Sequence, residues 1–382
     1  MDRRKLLATL AGGALATRAF AAQAATAVAR RDPPRYMPPP ASDAAMAGQL
    51  LLLHLRYLPG GAPQRVLGDA TRQMLADIQP GGVVLYAANI AAAAQLRALV
   101  ADIRGVLRIA PFIAIDEEGG RVSRIRGLDG MALIPPALEL AREGIPAVER
   151  AYATIGDELA ALGINMDLAP VADLGFHPET QFLGDRAFAA DPAIVSAAVT
   201  AAVDALQARA VMAVVKHFPG HGRTRRNSHV VGSVINASRA ELEMDLQPFR
   251  AAFAAGASGM MTAHVAYPAL DPSGLPASLS KRILQDVART ELGFDGLIVT
   301  DAIEMRGLTA EIRSEEDAAL TAFRAGADLL MGPTDPRQVR DAILGALAPA
   351  DSRAREARQR LVESYRRIMG AKARHRILVA AK

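Results

Sequence analysis

The strongest constraint on the fold of this chain is a regular alternation of short apolar runs with helical segments. The segments between the runs are rich in alanine and carry apolar side chains three and four residues apart, which is the period of a helix. Strands that alternate with helices pair in parallel, and eight parallel strands close a barrel. The sequence therefore predicts the α/β class and a single (β/α)8 TIM barrel. The predicted strands are Gln49–Leu55, Gly82–Tyr86, Phe112–Ile115, Ile164–Leu168, Val211–Val215, Gly259–Ala263, Leu297–Thr300 and Asp328–Met331.

The length of 382 residues suits one such barrel with additional segments at its ends. We place the catalytic barrel at residues 45–370, after a proline-rich linker at 25–44, and a basic tail at 371–382. The competing architecture is an open, doubly wound sheet. Such sheets usually begin with a glycine-rich phosphate-binding turn, and this sequence contains no such turn. The barrel is therefore the favoured prediction.

The first two dozen residues have the features of an export signal. Arg3 and Arg4 precede an apolar stretch that ends near Ala16, and small-residue cleavage patterns follow it. These features predict a signal peptide of the twin-arginine type at residues 1–24, and hence a periplasmic or secreted protein. The alternative is an ordinary basic amphipathic N-terminus.

Composition excludes several classes of site and partner. The chain has no cysteine, so disulfides and thiolate zinc sites are excluded, and it has no tryptophan, which favours a small pocket over a long polysaccharide cleft. No apolar run reaches the roughly 20 residues of a membrane-spanning helix. The arginines lack interleaved aromatic residues, so no nucleic-acid partner is predicted. We interpret the basic segment Ser352–Lys382 as the solvated face of a terminal helix, with contact to an anionic cell wall or lipid as the alternative.

Charged or imidazole side chains follow five successive predicted strands, from the third to the seventh. In a parallel barrel such residues meet at the C-terminal mouth, where barrel enzymes place their chemistry. Five strands that all end in this way are difficult to explain by packing alone. The residues are Asp116-Glu117-Glu118, Asp167 and Asp173, Lys216-His217, His264, and Asp301.

Asp301 ends a strongly apolar run, which predicts a buried strand that holds the carboxylate rigidly, as a nucleophile requires. A helix N-cap is an equally good interpretation of this position taken alone. The segment from Lys216 to His229 contains three of the seven histidines of the chain. It has no carboxylate and no helical zinc spacing, so it predicts a shaped loop over the barrel mouth rather than a metal site. A histidine on such a loop can transfer protons near neutral pH.

Three segments together resemble glycoside hydrolase family 3, in particular its single-domain bacterial β-N-acetylglucosaminidases. They are Ile115 to Val122, Lys216 to His229 and Phe294 to Asp301, and the likeness extends from about Gln49 to Leu308. The run lysine-histidine-phenylalanine-proline-glycine-histidine-glycine at the start of the second segment is highly specific to the family.

The resemblance implies a retaining glycosidase without a cofactor or metal, acting on a small glycan. Asp301 would attack the anomeric carbon, and water would then hydrolyse the glycosyl-enzyme intermediate. His229 would be the general acid/base, and Asn227 occupies the position that orients it. The implied substrate is a terminal non-reducing β-N-acetylglucosamine of peptidoglycan fragments or chitooligosaccharides. The implied sugar-binding residues are Asp116, Arg124, Arg186, Lys216 and His217.

Two positions depart from the family pattern, since Arg223 and Asn227 stand where the family usually has aspartate. Asparagine can accept one hydrogen bond from an imidazole but supplies no negative charge, so the exchange bears on the proton shuttle. Two other functions therefore stay open. One is a β-N-acetylglucosaminide phosphorylase, because Arg223, Arg225 and Arg226 would favour an anionic acceptor. The other is a catalytically impaired sugar-binding protein.

Overall fold

Eight short parallel strands are the frame of the molecule in a computed structural model. The structure describes residues 41–57, 61–177, 179, 183–224, 233–305, 308, 312–348 and 350–378. The predicted signal peptide and most of the linker lie outside these residues. The barrel strands are β1 (Leu51–His54), β2 (Gly82–Leu85), β3 (Phe112–Ile115), β4 (Met166–Asp167), β5 (Met212–Phe218), β7 (Gly259–Thr262), β9 (Leu297–Thr300) and β10 (Leu330–Met331).

The strands follow one another around a closed parallel barrel, as the sequence predicted. Their order is β10-β1-β2-β3-β4-β5-β7-β9. A parallel bridge between Val299 and Leu329 joins β9 to β10, and the amide of Thr300 donates to the carbonyl of Leu329 at 3.0 Å. Every residue of β2, β3, β7 and β9 is buried, because helices cover the outside of the barrel while side chains fill its interior.

Helices lie between consecutive strands, close to where their periodicity predicted them. Several begin at residues suited to that place: Ser238 and Glu241 form a capping box, and Asp191 caps a helix that opens with Pro192. The α-helices are Asp43–Gln49, Asp69–Ile78, Ala93–Val106, Ala137–Glu143, Ile145–Ala161, Pro192–Gln207, Arg239–Ala254, Glu315–Ala325, Pro336–Gly345 and Ser352–Arg374, and Arg282–Glu291 forms a π-helix.

A helix lies near each end of the described region. The helix Asp43–Gln49 begins within the segment that we assigned to the linker, and Ser352–Arg374 continues into the segment that we assigned to the basic tail. A short two-stranded sheet, β6 (Ser233–Val234) with β8 (Val265–Ala266), lies outside the barrel ladder. No helix among the described residues is both long enough and apolar enough to cross a membrane.

A buried carboxylate joins the last helix to the N-terminal end of the barrel. Asp328 has no exposed surface and accepts hydrogen bonds from Arg289 at 2.7 Å, Arg360 at 2.6 Å and Ser364 at 3.0 Å. The amide of Ile298, at the start of β9, also donates to it. Burial would raise the pKa of Asp328, but the surrounding arginines outweigh it and lower the pKa. The cluster therefore ties the helix Ser352–Arg374 to two neighbouring strands.

A buried lysine lies at the same end of the barrel. The Nζ atom of Lys372 donates to Oε1 of Gln49 at 2.8 Å and lies 5.2 Å from the centre of the Phe112 ring. The lysine has no exposed surface. Burial lowers the pKa of Lys372 to about 7, because the charged form loses its hydration.

Candidate active site

One cavity at the C-terminal mouth of the barrel collects the described residues that the sequence singled out. It has a volume of about 650 Å³, within the usual range for a pocket that binds a small molecule. Asp116 follows β3, Lys216 and His217 belong to β5, and Asp301 follows β9. The predicted site residues that line it are Asp116, Arg124, Arg186, Lys216, His217 and Asp301.

The Asp301 carboxylate is held at the end of a fully buried strand. Its Oδ1 atom accepts a hydrogen bond from the amide of Ala302 at 2.8 Å, and its own amide donates to the carbonyl of Thr262 at 3.3 Å. The residue is 8% exposed, so a carboxylate with little contact with water faces the cavity. Its neighbour His264 donates from Nε2 to the carbonyl of Ala302 at 3.0 Å and accepts from Ser278 at 2.7 Å. His264 therefore fixes the backbone beside Asp301.

Lys216 is the centre of a buried ionic network. Its Nζ atom lies 2.8 Å from Oδ1 of Asp116 and 2.6 Å from Oε1 of Glu118, and Arg124 lies 3.4 Å from Oδ2 of Asp116. Burial would lower the pKa of Lys216, but the two carboxylates outweigh it and raise the pKa. Lys216 therefore stays charged although it is buried, and it can donate a charge-assisted hydrogen bond to a sugar hydroxyl.

Glu118 joins this network to Arg186. Arg186 donates from Nε and Nη2 to the two carboxylate oxygens of Glu118, each at 2.8 Å, in the bidentate geometry that guanidinium groups favour. Burial would raise the pKa of Glu118, but Arg186 and Lys216 outweigh it and hold the pKa well below its usual range. At Asp116 burial would also raise the pKa of the carboxyl, but Lys216 and Arg124 outweigh it and the pKa is lowered. Both carboxylates are therefore ionised acceptors.

The sequence placed Glu118 at a strand end but did not include it in the predicted site. The signal that would have found it is the two-residue alternation of an extended chain. Asp116 and Glu118 face the cavity, whereas Glu117 between them accepts from the amides of Arg124 and Ile125. Glu117 therefore shapes the loop and Glu118 serves the pocket.

His217 is oriented by a carboxylate behind it. Its Nδ1 atom lies 2.7 Å from Oδ2 of Asp173, and the amides of His217 and His221 donate to Oδ1 of the same residue. A carboxylate only accepts, so Nδ1 carries a proton. Burial would raise the pKa of Asp173, but His217 outweighs it and the pKa is lowered. Asp173 is therefore a second contributor that the predicted site omitted. The peptide bond between Lys216 and His217 is cis.

Arg223 makes its contacts away from the cavity. It donates from Nε to Oδ2 of Asp245 at 2.5 Å and from Nη2 to the carbonyl of Glu241 at 2.9 Å, and its guanidinium lies 4.8 Å from the centre of the Phe176 ring. Burial raises the pKa of Asp245 to about 6 against the lowering effect of Arg223. Arg223 does not line the cavity.

The remaining predicted catalytic positions, Asn227 and His229, lie outside the described residues, as do Arg225 and Arg226. Their roles stay predictions. Within the described ranges, no three histidine, aspartate or glutamate side chains are grouped so that they could hold a metal ion.

Comparison with known proteins identifies one family. A profile of the Glycosyl hydrolase family 3 N terminal domain matches residues 47–371. A Beta-hexosaminidase from Chromobacterium violaceum is 37% identical over 291 residues, which is 74% of this chain and 80% of the relative. Beta-hexosaminidase A from Pseudoalteromonas piscicida is 32% identical over 77% of this chain, but this chain spans only 54% of that protein.

Two solved structures extend the comparison. A glycoside hydrolase family 3 beta-N-acetylglucosaminidase from Paenibacillus sp. superimposes with a TM-score of 0.81 and 31% identity, over 90% of this chain and 64% of its own length. A Beta-N-acetylhexosaminidase from Beutenbergia cavernae has a TM-score of 0.79 and 28% identity, over 87% of this chain and 99% of its own. The fold of this chain is therefore similar to that of known beta-N-acetylhexosaminidases and beta-N-acetylglucosaminidases.

Proposed function

The chain belongs to glycoside hydrolase family 3, and from that premise we propose that it is a retaining glycosidase that removes a terminal non-reducing β-N-acetylglucosamine. The observation that carries the proposal is the position of Asp301. Its partly desolvated carboxylate shares one cavity with the ionised network around Lys216. A cavity with a carboxylate at one side and paired donors and acceptors at the other suits the hydrolysis of a polyhydroxylated ring.

In this mechanism Asp301 attacks the anomeric carbon and the bond to the leaving oxygen breaks. His229 donates the proton that the leaving oxygen takes up. A covalent ester between Asp301 and the sugar results, and His229 then accepts a proton from the water that hydrolyses it. Two displacements at the same carbon restore the original configuration.

The remaining polar groups bind and orient the sugar. Lys216 and Arg186 supply donors, Asp116 supplies a charged acceptor, and His217 presents a ring that Asp173 holds in one orientation. Leaving a sugar hydroxyl without its hydrogen-bond partner in the cavity costs about 1–3 kcal/mol of binding free energy. These residues therefore stabilise the transition state by positioning the ring over Asp301.

The N-acetylglucosamine specificity is supported by the names of the similar proteins, which are beta-hexosaminidases and beta-N-acetylglucosaminidases. We propose peptidoglycan fragments or chitooligosaccharides as the source of that sugar. Export by the twin-arginine route, proposed from Arg3 and Arg4, would bring the enzyme to such fragments.

The test is Asp301→Asn, assayed on 4-nitrophenyl glycosides with and without inorganic phosphate. Asparagine fills the same space but forms no ester, so kcat/KM should fall by at least about a thousandfold while the sugar still binds. Asp295→Asn, at the exposed opposite end of β9, is the matched control and should keep wild-type activity. Substantial turnover by Asp301→Asn would refute the assignment of the nucleophile.

The same assay separates the two other functions. A sugar phosphate formed only when phosphate is present would identify a phosphorylase. Arg223, one of the residues that suggested this alternative, is already paired with Asp245. Sugar binding without turnover on any aryl glycoside would identify an impaired, sugar-binding protein.

A further inference from the structure

The cavity has a second polar wall that the predicted sugar-binding residues do not include. We call it the β1–β2 wall and define it by Arg56, Tyr86 and Glu304. Arg56 follows β1 and Tyr86 follows β2, while Glu304 comes three residues after Asp301. All three line the same cavity as Asp301, so a substrate that reaches Asp301 also lies beside this wall.

A histidine behind the wall fixes Tyr86 and Glu304. Oε1 of Glu304 lies 3.2 Å from Nδ1 of His54, and the hydroxyl of Tyr86 lies 2.8 Å from Nε2 of the same ring. Because a carboxylate only accepts, Nδ1 of His54 carries a proton, and Nε2 of the neutral ring accepts from the Tyr86 hydroxyl. The hydrogen bond from His54 lowers the pKa of Glu304. Glu304 is therefore an ionised acceptor held in place.

Arg56 contacts both Tyr86 and Glu304. Its guanidinium is 4.1 Å from the centre of the Tyr86 ring, and Nη1 is 3.3 Å from Oε1 of Glu304. The side chains of Arg56 and Glu304 are 40% and 31% exposed. A guanidinium has five N–H donors; the Nε of Arg56 is buried, so the donors that can reach a ligand are those of the Nη groups. Arg56 therefore keeps donors for a ligand next to the Glu304 acceptor.

A glycine beside the β1–β2 wall leaves room for His54. Gly332 follows β10 and has a positive φ of 69°, and a Cβ atom there would lie 2.3 Å from Cε1 of His54. Any other residue at 332 would displace the histidine that holds Tyr86 and Glu304. Four strand ends, those of β1, β2, β9 and β10, thus converge on one arrangement.

The chemistry of the wall selects among ligand groups. A guanidinium beside a carboxylate complements a group that carries an acceptor and a donor side by side, which is the arrangement of an amide. An anionic group would be repelled by Glu304 and by Glu315, which lines the same cavity. Met305 and Met331 also line the cavity and offer apolar surface for a methyl group.

We propose that Arg56 and Glu304 are specificity-determining residues that recognise an amide of the substrate. Arg56 donates to the amide carbonyl and Glu304 accepts from the amide N–H. The inference rests on the proposed function, because it presupposes that Asp301 is at the scissile bond. The 2-acetamido group of an N-acetylhexosamine is on the carbon next to the anomeric carbon, close to Asp301. An amide of the leaving group would present the same chemistry.

The experiment compares two 4-nitrophenyl substrates that differ only at carbon 2, the N-acetyl-β-glucosaminide and the β-glucoside. The preference is the ratio of their kcat/KM values. In Arg56→Met and in Glu304→Met this preference should fall about tenfold or more, because each variant removes one charge-assisted hydrogen bond to the amide. Arg56→Lys keeps a charged donor and should recover part of the preference.

Arg250→Met is the matched control, because Arg250 is an exposed arginine paired with Glu243 on the helix Arg239–Ala254, and neither residue lines the cavity. It should keep the wild-type preference. Thermal unfolding of each variant shows whether it folds. If Arg56→Met does not fold, the substrate preference of Arg56→Lys is compared with that of the wild type instead.

Three results are informative. A wild-type enzyme that shows no preference for the acetamido substrate refutes the proposed function, whatever the variants do. With a wild-type preference, variants that keep it but lose activity on N,N′-diacetylchitobiose relative to the aryl substrate assign the recognised amide to the leaving sugar. Variants of Arg56 and Glu304 that match the wild type on all three substrates overturn the inference.

Discussion

Replacing Glu118 by glutamine removes the negative charge that lies between Arg186 and Lys216. In the wild type the carboxylate accepts two hydrogen bonds from Arg186, each at 2.8 Å, and lies 2.6 Å from Nζ of Lys216. The side chains of Glu118 and Lys216 are both 2% exposed. Water therefore cannot take over the role of the missing charge, and two cations are left close together in the wall of the cavity.

The magnitude follows from these contacts. Loss of one partner from a buried ion pair costs about 3–5 kcal/mol, and the glutamine oxygen retains one of the hydrogen bonds. We therefore expect the free energy of unfolding to fall by about 3 kcal/mol, which most domains of this size survive. Glu118 also helps to raise the pKa of Lys216. In Glu118→Gln that pKa falls, so the loss of kcat/KM should grow as the pH rises above neutral.

Two measurements check this prediction: urea unfolding at neutral pH, and kcat/KM on the aryl N-acetylglucosaminide from pH 6 to pH 10. Glu143→Gln is the control, because Glu143 is exposed at the end of the helix Ala137–Glu143. Glu118→Asp should lie between the variant and the wild type. If Glu118→Gln matches the control in stability and in its pH profile, the carboxylate does not hold the two cations together as described.

Three further predictions concern other contacts. Asp173→Asn removes the charged acceptor behind His217, and kcat/KM should fall tenfold to a hundredfold, measured on the same aryl glycoside. Lys372→Met should be more stable than the wild type, and the difference between their free energies of unfolding in urea should be largest below pH 7. It should shrink toward pH 10, because the folded wild type loses the buried charge as the pH rises through its lowered pKa of about 7. Asn227→Asp should favour the protonated form of His229, speed hydrolysis of poor leaving groups and move the alkaline limit of activity to higher pH; an unchanged pH profile would exclude this orientation.

The barrel could be predicted from sequence because apolar runs alternate regularly with helical segments along the chain. Seven of the eight predicted apolar runs contain an observed strand, and the run Val211–Val215 overlaps β5 (Met212–Phe218), but the ends of the strands could not be read from apolarity. The run Asp328–Met331 contributes β10 (Leu330–Met331) and the bridge of Leu329 to the barrel, whereas Asp328 is held by arginines from distant elements. The pairing of β6 with β8 was also missed, because two-residue strands leave no periodic signal.

The site could be predicted only in part, for a similar reason. Strand ends and motifs identified Asp116, Lys216 and Asp301, which follow or belong to strands of strong apolar pattern. They did not identify Arg56 or Tyr86, which follow β1 and β2 without a charged cluster to mark them. Their importance arises from contacts with residues far away along the chain, such as Glu304, and such contacts are fixed by the closed barrel rather than by local sequence.

The contacts of Arg223 show that the two departures from the family pattern, Arg223 and Asn227, differ in their importance for catalysis. Arg223 stands where an acidic residue is usual, but its charge is opposed by Asp245 in a buried contact and by the Glu241 carbonyl. A guanidinium held in this way is not available to an anionic acceptor in the cavity, so its presence does not favour phosphorolysis. Asn227 remains as the departure that bears on chemistry, because His229 would lack the neighbouring charge that favours its protonated form. The rate of proton transfer to the leaving oxygen, rather than the binding of sugar or acceptor, is therefore where this chain should differ most from its relatives.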